Sequence, residues 1–174
     1  METMWKKDEL VVHESAGVCR VTDIQMMNRP QREYYVLSPL YDKNSTFYIP
    51  TDSTQNPLRP VMTREQALAL IEQIPGMTEL RFASINDEKA CAADILSSGD
   101  QLRLAQLTKT MHQLQQRRGR TKSKNAFATD RGILRQAERL LFGELAVSLE
   151  MPVDSVSDFI AQQLNGTGSA AANA

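Results

Sequence analysis

Residues 56–66 read NPLRPVMTREQ, and the pattern of the chain changes within them. Pro57 and Pro60 interrupt regular backbone hydrogen bonding, so an extended region is expected to end here. Thr63 and Gln66 then form a capping-box pair, in which the Thr63 hydroxyl accepts from the Gln66 amide and the Gln66 side chain bonds back. The stretch therefore predicts a β region before it and a helix after it.

The first 60 residues have the pattern of short strands. β-branched and aromatic residues occur in four runs, which are separated by turn-forming residues at 28–30 and 42–45. Gly17, between two of these runs, is expected to mark a sharp turn or a bulge. The runs predict a small antiparallel sheet or barrel, with strands at 9–12, 18–24, 34–37 and 46–49.

From residue 63 onward, apolar residues recur with the 3.6-residue period of helices. Thr129 is a good N-cap for the strongest of these helices, and Pro152 suits the first turn of the last. The predicted helices cover 63–74, 87–96, 100–116, 129–149 and 152–164. The predicted fold class is α+β, with an N-terminal β domain at 1–60, an all-helical domain at 61–164 and a disordered tail at 165–174.

Composition places the chain among ordinary globular proteins. Of its 174 residues, 41% are hydrophobic and 24% are charged. No apolar run reaches the roughly 18 residues that span a bilayer, and the start of the chain lacks the apolar middle of a secretory signal. We therefore expect a cytoplasmic protein without a membrane partner, and we expect it to be a monomer.

The two cysteines, Cys19 and Cys91, lie far apart and outside any CxxC spacing. The sequence therefore supports neither a disulfide framework nor a zinc site, and no metal or other cofactor is expected. A thiol–imidazole pair of His13 and Cys19 is the one arrangement that suggests catalysis. Cys19 lies in a VCRV pattern typical of a small apolar filler, and no third orienting group is evident, so we expect no enzyme.

Positive charge is concentrated in the helical half. Residues 101–140 carry 10 Lys and Arg against 2 Asp and Glu, whereas residues 1–80 carry 8 against 11. The stretch 115–124, QQRRGRTKSK, contains five cations and no carboxylate. Three arginines also recur every four residues on the predicted fourth helix, at Arg131, Arg135 and Arg139. Such a surface suits phosphates, because each neutralised phosphate releases counterions; a merely solvated face has the same composition.

Six stretches occur in an order typical of one family. Four are in the N-terminal part: KKDELVVHESAGVCRVTDIQ (6–25), REYYVLSPL (32–40), TFYIP (46–50) and LRPVMTREQALALIEQI (58–74). Two are helical: LSSGDQLRLAQLTKTMHQLQQ (96–116) and ATDRGILRQAERLLFGELA (128–146). In this order, residues 4–150 resemble the CarD family of bacterial transcription regulators, whose N-terminal module also occurs in the transcription-repair coupling factor. The chain has no GxxxxGK[ST] loop, so it does not resemble that helicase as a whole.

The resemblance implies a Tudor-like β-barrel that docks on the β subunit of RNA polymerase. It also implies a helical module that contacts promoter DNA near the upstream edge of the transcription bubble. Members of this kind change the lifetime of the open promoter complex and have no catalytic activity. Tethering to polymerase lets a basic surface without base readout act at promoters, because local concentration replaces sequence recognition.

The family often has a basic residue in the strand that ends in IP, where this chain has Tyr48. The docking contact is therefore expected to use Tyr48 or nearby basic residues. An exposed sheet edge at 34–38 or 46–50 is the expected route, since a strand of the partner can pair with it. The predicted polymerase-binding residues are Arg32, Tyr34, Phe47, Tyr48, Ile49, Pro50 and Arg59.

Many members place a tryptophan wedge at the start of the helical domain, where this chain reads LRFASINDEK (80–89). The resemblance implies that Phe82 or Ile85 takes this role against the DNA minor groove. Alternatively, Phe82 packs between the two domains. Trp5 is expected to close the bottom of the β module. The predicted DNA-binding residues are Arg81, Phe82, Ile85, Arg117, Arg118, Arg120, Lys122, Lys124, Arg131 and Arg135.

A second interpretation keeps the β module as a protein-binding unit and makes the helices only a scaffold. Under this interpretation the protein is an interaction adaptor that does not bind DNA. The two hypotheses differ in the role of the cations at 115–124, whose charge reversal abolishes DNA contact only under the first.

Overall fold

The computed structural model of the chain describes residues 4–28, 31–52, 58–118 and 124–172, with side chains for all of these except 28, 118, 124–127 and 166–172. The chain divides into two compact units, Met1–Val61 and Met62–Ala174. The first contains the strands and is called the β unit; the second contains the helices and is called the helical unit. The fold is therefore α+β, as predicted.

Five strands form one sheet in the described part of the β unit. They are β1 (Leu10–His13), β2 (Gly17–Asn28), β3 (Gln31–Pro39), β4 (Phe47–Pro50) and β5 (Leu58–Pro60). Their order across the sheet is β4-β3-β2-β1-β5, and all neighbours are antiparallel. The long β2–β3 hairpin lies inside the sheet, and the short strands β4 and β5 form its two edges.

A histidine holds the turn between β1 and β2. The Nδ1 atom of buried His13 accepts hydrogen bonds from the backbone N–H groups of Ser15 (3.2 Å) and Ala16 (3.1 Å). Gly17 follows with φ 78°, in the left-handed region that favours glycine. The sharp turn predicted at Gly17 is confirmed.

Strand β5 lies where the sequence predicts the end of β structure. It pairs with β1 through Val11–Pro60, Val12–Arg59 and His13–Leu58. Proline is compatible with an edge strand, because its missing N–H group costs no hydrogen bond on the outer side. The prediction of four strands is wrong, because it omits β5. Prolines exclude a central strand, but they permit a strand at the edge of a sheet.

The sheet is open, so the expectation of a barrel is wrong. Among the described strands β4 pairs only with β3, and β5 only with β1, so no ladder joins the two edges. Both edge strands are short and end in a proline, Pro50 or Pro60, which cannot donate a backbone hydrogen bond. Closure of the sheet would need such donors.

One face of the sheet carries the core of the β unit. Tyr35 and Leu37 of β3 are fully buried at its centre. The Tyr35 hydroxyl accepts a hydrogen bond from the Trp5 backbone N–H (3.2 Å), and the Trp5 ring belongs to the same core. The other buried members of this cluster are Val11, Cys19, Val21 and Leu58.

The described part of the helical unit contains five α-helices and one 3-10 turn. They are α1 (Arg64–Gln73), the 3-10 turn Ile74–Gly76, α2 (Ile85–Ser98), α3 (Gln101–Arg118), α4 (Lys124–Ser148) and α5 (Val153–Ala172). The predicted capping box starts α1, with Thr63 Oγ1 accepting from Gln66 N (3.1 Å) and Gln66 Oε1 accepting from Thr63 N (2.9 Å). Gly99 follows α2 with φ 69°, the left-handed conformation typical of a helix C-terminus.

Two helices differ from their predicted bounds by five residues or more at one end. α4 begins at Lys124 rather than at the predicted N-cap Thr129, and the intervening residues include two alanines, which have the highest helix propensity. α5 continues to Ala172, past the predicted end at 164 and into the segment expected to be disordered. Alanines at 170–172 favour helix there, although little apolar surface is available to bury.

The core of the helical unit lies mainly between α3 and α4, which make the most extensive helix–helix contact. Glu144 of α4 is fully buried, and its carboxylate accepts from Gln101 Nε2 (2.8 Å) and from the Met62 backbone N–H (3.4 Å). Because a buried carboxylate needs such partners, Glu144 fixes the start of the unit to α3 and α4. The largest fully buried apolar side chains are Ile71, Leu107, Met111, Leu141 and Leu145.

Candidate functional site

Strand β4 presents an edge that is unpaired among the described residues. Its register with β3 pairs Val36 with Tyr48 and Tyr35 with Ile49. The adjoining Thr51 donates its N–H to the carbonyl oxygen of β3 residue Glu33 (3.0 Å). Hydrogen-bonded and non-hydrogen-bonded pairs alternate in an antiparallel ladder, so Tyr35–Ile49 is a hydrogen-bonded pair and Val36–Tyr48 is not.

Tyr48 is therefore the residue whose backbone groups face the free edge. Its N–H and C=O point away from β3, whereas those of Phe47 and Ile49 point toward it. Pro50 has the same phase as Tyr48, so its missing N–H removes a donor from the free edge and none from the ladder. The edge can thus exchange backbone hydrogen bonds at Tyr48 and loses its donor at Pro50.

The side chains of β4 alternate between the two faces of the sheet. Phe47 and Ile49 pack against the core of the β unit, and the Phe47 ring stacks on His13 with centroids 5.6 Å apart. Tyr48 lies on the opposite face and is 48% exposed. Phe47 and Ile49, both predicted to bind polymerase, therefore direct their side chains inward.

The outward face of β3 and β4 brings together four predicted residues, which we call the tyrosine face: Arg32, Tyr34, Tyr48 and Pro50. Tyr34 lies directly opposite Pro50, and alternation along β3 places Arg32 and Tyr34 on the face opposite the buried Tyr35. Arg32 forms an ion pair with Asp52 (Nε to Oδ1, 2.7 Å). The surface combines two phenol rings with an arginine that a carboxylate partly neutralises.

Arg59 is not part of the tyrosine face. It lies on β5, at the other edge of the sheet, opposite Val12 of β1. Its guanidinium donates to the Pro60 carbonyl oxygen (3.1 Å). The predicted polymerase-binding set thus divides between two edges.

A cavity of about 730 Å³ lies at one end of α3. Three predicted DNA-binding residues line it: Arg81, Phe82 and Arg117. Arg117 forms an ion pair with Glu79. Phe82 is half-buried and packs against the core of the helical unit, whereas Ile85, the first residue of α2, is 45% exposed. Ile85 is therefore the more accessible of the two residues considered for a wedge.

The arginines of α4 are exposed. Neither Arg135 nor Arg139 forms an ion pair with any residue that the structure describes. Arg131 lies on the same helix, four residues before Arg135. Four further predicted DNA-binding side chains lie outside the described residues: those of Arg118, Arg120, Lys122 and Lys124.

Part of the positive charge of the helical unit is used internally. The Nζ atom of Lys109 donates to three carbonyl oxygens, of Ile74 (2.9 Å), Pro75 (3.0 Å) and Met77 (2.8 Å). Arg103 pairs with Asp94 (2.9 Å). The charge counted along the sequence therefore exceeds the charge available to a partner.

Cys19 and His13 are not arranged as a nucleophile and its base. The Cys19 thiol is buried opposite Val11, donates to the Gly17 carbonyl oxygen (3.5 Å), and burial raises its pKa to about 12. The Nδ1 atom of His13 is occupied by backbone N–H groups, and burial lowers the pKa of His13, with Glu14 opposing this. A thiolate at neutral pH is disfavoured by these contacts.

In the described part of the chain, no three His, Cys, Asp or Glu side chains are grouped so that they could hold a metal ion. None of the helices in that part has the length and apolar content required to cross a bilayer.

Sequence reasoning missed the carboxylates that partner the predicted cations. Asp52 lies 20 residues from Arg32, and Glu79 lies 38 residues from Arg117. No local pattern signals either contact, because both depend on how distant segments pack. The sequence predicts that successive residues of β4 alternate in direction. Which of their backbone N–H groups face the free edge follows only from the Thr51–Glu33 hydrogen bond.

The comparison with protein families found a match to the N-terminal part of the chain. Residues 5–62 match the family model described as the CarD-like/TRCF RID domain. These residues comprise the strands β1 to β5 and the beginning of the helical unit. No curated protein matches the chain.

The matched residues contain the whole described sheet, including the free edge at Tyr48 and the tyrosine face. The match covers the first three of the four N-terminal sequence stretches and the first residues of the fourth, up to residue 62. Residues 5–62 of this chain therefore form a CarD-like RNA polymerase-interacting domain.

Proposed function

We propose that this protein is a transcription regulator that binds the RNA polymerase β subunit through its β unit and contacts promoter DNA through its helical unit. The DNA contact has no sequence preference. By contacting both partners, the protein changes the stability of the open promoter complex at initiation. It acts as a monomer in the cytoplasm and performs no catalysis.

The match of residues 5–62 to an RNA polymerase-interacting domain carries this proposal. The free edge of β4 supports it, because an extended strand of a partner can pair there through backbone hydrogen bonds. Tyr48 supplies an outward N–H and C=O, and Pro50 supplies no outward N–H. Pairing is therefore limited to a short register centred on Tyr48.

The tyrosine face supports selectivity for one partner. Aromatic rings dominate the energetics of many interfaces, since they bury large areas with few rotatable bonds. Tyr34 and Tyr48 lie beside the pairing edge, so a partner strand that pairs with β4 also meets these rings. Arg32 adds a cation whose present partner, Asp52, is exposed to solvent.

The exposed arginines of α4 support the DNA contact. Arg135 and Arg139 are spaced four residues apart and so lie on the same side of the helix. They are available to phosphates because no described residue pairs with them. The sequence adds five cations over 115–124, a stretch that ends at the first residue of α4.

One observation favours the adaptor as a second candidate function. Lys109, Arg103 and Arg117 each bond within the helical unit, which reduces the positive charge offered to DNA. An adaptor of this kind would bind polymerase with the β unit and use the helices as a scaffold. Duplex DNA binding by the full chain separates the two candidates.

The experiment combines two binding assays on the full chain. Co-elution with purified bacterial RNA polymerase in size-exclusion chromatography tests the first contact. Fluorescence anisotropy with labelled duplex DNA at increasing salt tests the second, with affinity expected to fall steeply as salt rises. Failure to bind polymerase contradicts the proposal; polymerase binding without DNA binding selects the adaptor.

A further inference from the structure

Backbone groups of the segment between the 3-10 turn and α2 form hydrogen bonds with side chains of α3. Gln106 Nε2 donates to the Thr78 carbonyl oxygen (2.7 Å), and the Leu80 N–H donates to Thr110 Oγ1 (3.0 Å). These two bonds lie directly before and after Glu79. The position of the Glu79 backbone is therefore fixed independently of what its side chain binds.

The side chains of this segment separate into inner and outer sets. Leu80 and Phe82 pack against the core of the helical unit. Glu79 and Arg81 alternate with them, and all four residues line the cavity of about 730 Å³ together with Thr78, Leu114 and Arg117. Within the described residues, the Glu79 carboxylate is the acid that lines this cavity, and it pairs with Arg117.

The ion pair is accessible to a competing anion. The side chain of Arg117 is 59% exposed and that of Glu79 is 33% exposed. Carboxylate and phosphate oxygens present similar acceptors to the planar guanidinium group, and exposed ion pairs contribute little stability. A phosphodiester can therefore replace the carboxylate without a change in the anchored backbone.

We propose that this cavity is a binding site for one phosphate of the DNA backbone, and that Glu79 occupies the site at Arg117 in the free protein. Glu79 thus competes with DNA and weakens its binding, while Arg81 lies on the same rim. This inference rests on the proposed DNA contact of the helical unit. It assigns to Glu79 a role opposite to that of the surrounding cations.

The test compares three full-length variants with the wild type by fluorescence anisotropy with labelled duplex DNA over a range of salt. Glu79→Gln removes the competing charge and retains the shape of the side chain. Asp94→Asn is the matched control, since it removes one carboxylate and releases another arginine, Arg103, in the same unit. The double variant Glu79→Gln with Arg117→Gln removes the proposed phosphate ligand as well.

Glu79→Gln is expected to tighten DNA binding roughly two- to fivefold at low salt, the range that an exposed ion pair supports. The slope of log K against log salt should steepen by about 0.9, which corresponds to one more phosphate contact. Asp94→Asn should show a smaller gain, and the double variant should lose the gain entirely.

Equal affinities of the wild type and Glu79→Gln overturn the inference, as does an equal gain in Glu79→Gln and Asp94→Asn. A gain that persists in the double variant also overturns it, because Arg117 would then play no part. If the wild type and every variant fail to bind duplex DNA, the proposed DNA contact fails and this inference fails with it. Binding by the wild type without a gain in Glu79→Gln leaves the proposed function intact.

Discussion

At the scale of single residues, burial controls the chemistry of Cys19. With a pKa raised to about 12, its thiolate fraction at pH 8 is on the order of one in ten thousand. We expect iodoacetamide to label half-buried Cys91 in the native protein and to leave Cys19 unlabelled until the β unit unfolds. Mass spectrometry of the full chain, with Cys91→Ala as the control, measures this. Rapid native labelling of Cys19 would contradict the buried arrangement.

His13 makes the stability of the β unit depend on pH. Burial holds its pKa below the ordinary value of 6.5, and its Nδ1 atom accepts two backbone N–H groups, which a protonated ring could not do. Between the folded and unfolded pKa values the unfolded chain binds more protons. The free energy of unfolding is therefore expected to fall as pH decreases below about 6.5.

Trp5 is the single tryptophan and belongs to the core of the β unit, so its fluorescence during urea unfolding reports on that unit. His13→Gln should reduce the loss of stability at acid pH. His112→Gln removes the other histidine, which is exposed on α3, and should leave the loss unchanged. An equal acid dependence in the wild type and His13→Gln would argue against a role for His13.

At the scale of elements, the capping box decides where α1 begins. The Thr63 hydroxyl satisfies the Gln66 N–H, so Thr63→Ala leaves a helix N-terminus without its side-chain acceptor. We expect the helical unit to lose about 1 kcal/mol of its free energy of unfolding. Chemical denaturation followed by far-ultraviolet circular dichroism measures the change. Thr78→Ala, at an exposed position, is the control and should differ from the wild type by less than about 0.5 kcal/mol.

The same capping box shows which elements a sequence can predict. Thr63 and Gln66 signal a helix start through contacts three residues apart, so local pattern suffices. Strand β5 is not predicted, because a proline such as Pro60 usually interrupts a strand. At the edge of the sheet, where β5 pairs with β1, a proline is tolerated. The open sheet was missed as well, since closure depends on pairing between edges that are distant in sequence.

The sequence predicts which residues belong to the candidate site better than it predicts which face of the sheet their side chains occupy. Tyr34 and Tyr48 share one exposed face, but Phe47 and Ile49 turn into the core, because alternate residues of a strand face opposite sides. The charge of Arg117 was visible in the sequence, and its neutralisation by Glu79 was not. Pairings of this kind arise only from tertiary packing.

At the scale of the whole molecule, the proposal assigns polymerase and DNA to different units. Reversing charge on α4 with Arg135→Glu and Arg139→Glu should weaken duplex DNA binding and leave polymerase binding unchanged. The slope of log K against log salt should fall by about 0.9 for each arginine that contacts a phosphate. Fluorescence anisotropy measures the DNA affinity, and co-elution with RNA polymerase measures the other contact.

The matched control reverses the same amount of charge in the β unit. Lys6→Glu with Lys7→Glu changes two exposed lysines, and it should reduce DNA affinity less than the α4 variant does. An equal reduction by both pairs would indicate a general effect of net charge and would contradict a DNA-contacting surface on α4.

The central claim is that the free edge of β4 pairs with the polymerase β subunit at Tyr48. Its most direct test is the dissociation constant of the full chain for the purified β subunit, measured for Tyr48→Pro and Tyr48→Val beside the wild type. Tyr48→Pro removes the outward N–H without removing a hydrogen bond to β3, whereas Tyr48→Val retains that N–H and removes the ring. Trp5 fluorescence confirms that each variant is folded. The account predicts at least a roughly tenfold weaker affinity for Tyr48→Pro than for Tyr48→Val, since one backbone hydrogen bond and the strand register are lost. Equal affinities of Tyr48→Pro and the wild type would contradict it.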